Sequence, residues 1–115
     1  MKEKITVLIA DDNMEFATTL KKYFDQKENM EVVAIAKDGN EAFDKIVEYE
    51  PDVALLDVIM PHLDGIGVLE KINETKLNKY PLCVMISAVG QDKVTKQAIS
   101  LGAQYYVVSL SILKY

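Results

Sequence analysis

Cysteine and histidine are almost absent: Cys83 and His62 are the only residues of their kinds in 115. A lone thiol cannot close an internal disulfide, and one histidine with one cysteine cannot furnish a zinc centre. Cys83 lies in an apolar run and reads as a small buried hydrophobe. Positive charge is in deficit as well, with 13 basic residues against 18 acidic ones and a net charge of −5. That balance argues against broad nucleic-acid binding by the domain itself. Nowhere do apolar residues run for the roughly 18 positions that a membrane helix requires. Neither a signal peptide nor a membrane partner is expected, and a cytoplasmic setting is the default. Glycine and proline are few, at 5 and 3, while half of the residues are hydrophobic. This composition excludes a disordered tail, and the length fits one small domain with a core of its own.

Apolar runs and helical stripes alternate along the chain. Residues 5–10 read as a strand that is apolar on both faces. A helix follows, with Asn13 as its cap and Phe16, Leu20, Tyr23 and Phe24 on its inner face. Residues 31–36 form a second strand. Asp38 and Glu41 have capping-box spacing before a helix reaching about residue 49, whose stripe is Ala42, Phe43, Ile46 and Val47. Pro51 breaks that helix. Strands are expected over 53–56, 82–86 and 104–108. Helices are expected over 64–75, capped by Asp64 and burying Ile66, Leu69 and Ile72, and after Gly90, with Val94, Ala98 and Leu101 on one face. Gly102 is the natural left-handed residue at the end of that last helix. The pattern βαβαβαβαβ, with no internal repeat, predicts an α/β fold with a doubly wound parallel sheet. We assign residues 1–108 to this domain. A fifth helix would cover the last strand, but residues 109–115 give at most two turns. The tail is therefore read as atypical or truncated, leaving an apolar flank through which the chain is expected to form a homodimer.

Parallel βα units bring the carboxyl ends of the strands to one edge, where ligands bind. Asp11 and Asp12 close the first strand, Asp57 closes the third and Ser87 closes the fourth. Three carboxylates brought together raise one another's pKa unless a cation intervenes. A hard divalent ion, Mg²⁺ or its substitute Mn²⁺, suits these oxygen donors. Asp12 and Asp57 are the expected direct ligands, with the Ile59 carbonyl as a third and Asp11 acting through water. A carboxylate so placed can act as nucleophile in phosphoryl transfer, which makes Asp57 the candidate acceptor and Ser87 a hydroxyl donor to the new group. Tyr106 on the fifth strand is read either as ordinary packing or as a reporter that swings when Ser87 moves.

The pair Asp11-Asp12, the stretch Leu55-Leu56-Asp57-Val58-Ile59-Met60-Pro61-His62-Leu63-Asp64-Gly65, Ser87-Ala88 and Gly102-Ala103-Gln104-Tyr105-Tyr106-Val107-Val108 together resemble the receiver domains of two-component response regulators. The resemblance spans residues 5–108. The stretches 59–65 and 90–96 are similar to the receivers of sporulation regulators from endospore-forming bacteria. The resemblance implies a flavodoxin-like sheet in the order 2-1-3-4-5, here lacking a complete fifth helix. It also implies phosphoryl transfer to Asp57 from a histidine kinase or histidine phosphotransferase protein, with Ser87 and Tyr106 as a switch pair. A C-terminal DNA-binding domain in a parent protein is implied too, the receiver making no direct nucleic-acid contact. In one departure, Ser109 and Leu110 stand where receivers have lysine and proline after the fifth strand, and Lys114 lies too far along to substitute. The alternative is a degenerate receiver that serves as a phosphorylation-independent interaction module. Two other classes fit less well. An aspartyl phosphohydrolase would place an aspartate where Ile59 stands, and a flavin binder would have a phosphate-cradling loop in place of Asp11-Asp12.

Overall fold

The computed structural model describes residues 4–87 and 105–108, with side chains described through Ile86. The elements run β1 (Ile5–Ala10), α1 (Met14–Asp25), β2 (Met30–Ala36), α2 (Gly39–Tyr49), β3 (Val53–Asp57), α3 (Gly65–Glu74), β4 (Leu82–Ser87) and β5 (Tyr105–Val108). All strand pairs are parallel, and the sheet order is β2-β1-β3-β4-β5. This is the doubly wound, flavodoxin-like order that the resemblance implied. The helix expected after Gly90, the extent of any fifth helix, the tail 109–115 and its flank lie outside the described residues.

Alternation along β1 feeds two separate cores. Leu8 and Ala10 point to one face with Ala42 and Ile46 of α2 and Ile66, Leu69 and Ile72 of α3. Val7 and Ile9 point to the other with Ala17 and Leu20 of α1. A central strand buried on both faces must be apolar at every position, which is why residues 7–10 show no polar alternation. The thiol of Cys83 is buried in the first core, and that burial pushes its pKa up to about 11. It behaves as the small hydrophobe its sequence context indicated.

Caps set the helix starts as expected. Asn13 accepts from the Phe16 amide, Asp38 from Glu41 and Asp64 from Gly67. The capping box at α2 is incomplete, because the Glu41 carboxylate accepts from the Lys37 amide, one residue before the cap. Two helical stripes are narrower than the sequence indicated. Tyr23 and Val47 are about half exposed, at 51% and 50%. In α1 the inward direction is set by Ala17 and Leu20, and in α2 by Ala42 and Ile46, so Tyr23 and Val47 fall on the rims.

At the amino end of the sheet, Thr6 and Asp52 lock β1 to the start of β3. The Asp52 carboxylate accepts from the Thr6 amide at 2.8 Å and from its hydroxyl at 3.1 Å. The Asp52 amide donates to the Thr6 hydroxyl oxygen at 2.9 Å. Lys79 pairs with the same carboxylate, and with the Thr6 bonds it holds the Asp52 pKa below the usual range.

Candidate functional site

Strand register builds the site. Ala10 of β1 lies opposite Leu56 of β3, so the next residues, Asp11 and Asp57, emerge side by side at the carboxyl edge. Asp12 follows at once, and one carboxylate oxygen from each of the three lies within 4.8 Å of the others. Asp11 is 6% exposed, Asp57 is half-buried and Asp12 is exposed at the mouth. Asp11 is the one buried charged side chain among the described residues. Its depth follows from β1 being central and from its amide continuing the β2 ladder to the Ala36 carbonyl at 2.9 Å.

These carboxylates are held close despite their charge. Burial, followed by the negative charge of Asp11, pushes the Asp57 pKa up to about 7. Asp11 is raised too, chiefly by burial and then by Asp12, against the lowering effect of the Asn13 amide that donates to it at 2.8 Å. The two carboxylates face each other within the same cluster, so each disfavours the other's charge. Three hard oxygen donors, one deep and two accessible, are a donor set that suits a hydrated Mg²⁺ ion. A divalent charge would remove the repulsion.

The loop after Asp57 is firmly placed. The Val58 amide donates to the Ile86 carbonyl at 2.9 Å, and the Ile59 amide donates to Asp57 Oδ1 at 3.3 Å. The Ile59 side chain is 76% exposed, beside the acidic mouth. Ser87 follows the residue that pairs with Asp57 and lies opposite Val108, while Tyr106 lies opposite Met85. The backbones of both strands thus reach the expected edge, but the Ser87 and Tyr106 side chains, like Ser109, lie outside the described ones. Sequence reasoning missed the Ile59 amide on Asp57. It also missed Gly65, where a Cβ would overlap the Asp57 carbonyl oxygen and come within 2.6 Å of Met85 Cε. The Asp64-Gly65 pair was read only as a helix start, although a glycine just inside a cap was the available signal.

The response regulator receiver domain family matches residues 7–109. The chain belongs to that family. Its members are signalling domains that work with histidine kinases, not catalytic enzymes. Solved structures agree. The signal receiver domain of the response regulator NarL from Mycobacterium tuberculosis is 31% identical, with a TM-score of 0.85 over 92% of this chain and 84% of that one. The response regulator domain of Thermotoga maritima CheB is 33% identical, with a TM-score of 0.84 over 92% and 78%. A chain of the CheX–CheY–BeF3–Mg²⁺ complex from Borrelia burgdorferi is 30% identical, with a TM-score of 0.84 over 97% and 86%. Among the described residues, no helix is long and apolar enough to cross a membrane.

Proposed function

We propose that residues 1–108 form a phosphoacceptor domain that takes a phosphoryl group onto Asp57 from a phosphohistidine on a kinase or phosphotransferase protein. The observation that carries this reading is the Asp57 carboxylate at the end of the central strand, inside the acidic cluster and half open to solvent. An Asp57 oxygen attacks phosphorus and a new O–P bond forms. The N–P bond breaks, its electron pair stays with the imidazole, and that ring takes up a proton. Asp12, Asp57 and the Ile59 carbonyl would hold Mg²⁺ directly, with Asp11 acting through water. Bound there, the ion supplies charge neutralisation at the phosphoryl oxygens. One similar structure is a complex with BeF3 and Mg²⁺, the cation this reading calls for.

Asp57 must be ionised before it can attack, and burial first, then the negative charge of Asp11, works against that ionisation. The Ser87 hydroxyl would donate to the new phosphoryl group and draw the end of β4 inward, with Tyr106 following as its switch partner. A parent protein would couple this motion to a C-terminal DNA-binding domain. The likeness of stretches 59–65 and 90–96 to sporulation regulators supports a parent of that class. Incubation with a small acyl-phosphate donor and Mg²⁺ tests the reading. Wild-type chain should gain the mass of one phosphoryl group, and Asp57→Asn should gain none.

Ser109 favours a second reading. With serine where receivers carry lysine, the acceptor lacks a cation for the phosphoryl oxygens, and the domain would act as an interaction module. Failure of wild type to take up phosphate while still binding Mg²⁺ would select it.

A further inference from the structure

The loop from Asp57 to α3 contains an unusual turn. His62 has φ 68°, and around it the Leu63 amide donates to the Pro61 carbonyl at 2.7 Å. A hydrogen bond spanning two residues about a positive φ is the rare, strained form of γ-turn, and histidine has a Cβ that disfavours it. Such a conformation persists only where its surroundings impose it. The imposing contact comes from a distant part of the chain. At Gly39, the first residue of α2, a Cβ would overlap the Leu63 carbonyl oxygen and come within 2.6 Å of its carbon. Gly39 is buried and has an ordinary helical φ, so the helix itself makes no demand for glycine there. Farther along, Leu63 is followed by Asp64 and by the Gly65 amide, which donates back to the Val58 carbonyl at 3.0 Å. The turn therefore closes a backbone ring whose other side bears the Ile59 amide on Asp57.

We propose that Gly39 is a positioning residue for the acceptor site. Its bare Cα seats the Leu63 carbonyl, this seat holds the strained turn at His62, and the turn fixes the Ile59 segment against Asp57. The proposal rests on the phosphoacceptor reading for its purpose, but not for its geometry. It makes the amino end of α2 part of the machinery that sets the metal-binding edge.

The test compares Gly39→Ala, His62→Gly and the double variant in Mg²⁺ titrations, urea unfolding and amide hydrogen exchange of the metal-free protein. Helix propensity alone predicts that Gly39→Ala is neutral or stabilising. The seat predicts instead faster exchange at the Ile59 and Gly65 amides and roughly tenfold weaker Mg²⁺ binding. In the double variant, glycine at 62 lets the turn yield to the new methyl group. Stability should then recover while Mg²⁺ affinity stays low, a split that a purely structural role would not give. Wild-type affinity in Gly39→Ala, or stability and affinity recovering together in the double variant, overturns the proposal. If wild type binds no Mg²⁺, the phosphoacceptor reading falls, and unchanged Ile59 and Gly65 exchange in Gly39→Ala would still refute the seat. Should Gly39→Ala not fold, His62→Gly alone decides. Raised stability with faster Ile59 exchange supports the proposal, and unchanged exchange overturns it.

Discussion

Replacing Asp57 by asparagine should stabilise the metal-free protein, although it removes the residue on which the proposed function depends. The carboxyl is raised from 3.8 to about 7, first by burial and then by Asp11. A displacement of that size corresponds to about 4 kcal/mol at full weight. The site is half open to water and the two carboxyls titrate together, so screening leaves about 1–2 kcal/mol. The sign follows from proton binding. Between about pH 4 and 7 the folded state holds a proton that the unfolded state has lost, so stability falls as pH rises through that window. Asparagine removes the charge, and its amide can donate to Asp11. In urea unfolding with chelator present, wild type should therefore be less stable at pH 8 than at pH 5 by more than Asp57→Asn is. The variant should exceed wild type at pH 8 by about 1–2 kcal/mol. Saturating Mg²⁺ should reverse the order, since a ligand at a hundredfold its Kd contributes about 2.7 kcal/mol to wild type alone. Equal pH profiles for the two proteins, or a variant less stable at pH 8, would refute the repulsive-cluster argument.

Asp52→Ala should cost about 1–3 kcal/mol in urea unfolding, because the Thr6 amide and hydroxyl lose a charged acceptor. Because the Asp52 pKa is lowered in the folded state, its contribution is present above pH 4 and is lost on acidification, the opposite sense to Asp57. Gly65→Ala should destabilise by about 1–3 kcal/mol, since the new methyl meets the Asp57 carbonyl and Met85. It should also slow phosphorylation by an acyl-phosphate donor more than it weakens Mg²⁺ binding, and equal losses would count against a local effect on Asp57. Ser109→Lys should speed that phosphorylation, by about tenfold for each 1.36 kcal/mol felt in the transition state. The gain should disappear in an Asp57→Asn background, which a double-mutant cycle on labelling rate would show.

The acidic cluster was legible because each carboxylate ends an apolar run, and parallel crossovers carry every such end to the same edge. Which carboxylate lies deepest was not. The depth of Asp11 depends on β1 being flanked by both β2 and β3, an order that came from family resemblance and not from periodicity. Tyr23 and Val47 were placed on inner faces because an apolar residue at helical spacing looks the same whether it is central or at the rim. The exact direction of each face is fixed by small residues such as Ala17 and Ala42, which carry little weight in a hydropathy pattern. The Thr6–Asp52 lock and the Gly39–Leu63 seat join positions 46 and 24 apart in sequence, and no local signal announces either. The strained turn at His62 was hidden for a different reason. The sequence there offers proline, histidine and leucine, with no glycine at the residue that needs the positive φ.

The same two strands carry opposite forces at their two ends. Between Thr6 and Asp11 lie five residue steps of β1, about 16 Å of extended chain. At one end Asp52 gathers Thr6 and Lys79 into favourable pairs. At the other, Asp11 and Asp57 are pressed together with their pKa values raised. Between them Leu8, Ala54 and Leu56 are fully buried. Each buried leucine contributes about 1.5–3 kcal/mol, enough to offset the repulsion of the cluster. A carboxylate pair that could relax by moving apart would have no stored demand for a cation or a phosphoryl group. Rigidity between the lock and the cluster is what keeps that demand in place, so the packed middle of β1 and β3 belongs to the function as much as the three aspartates do.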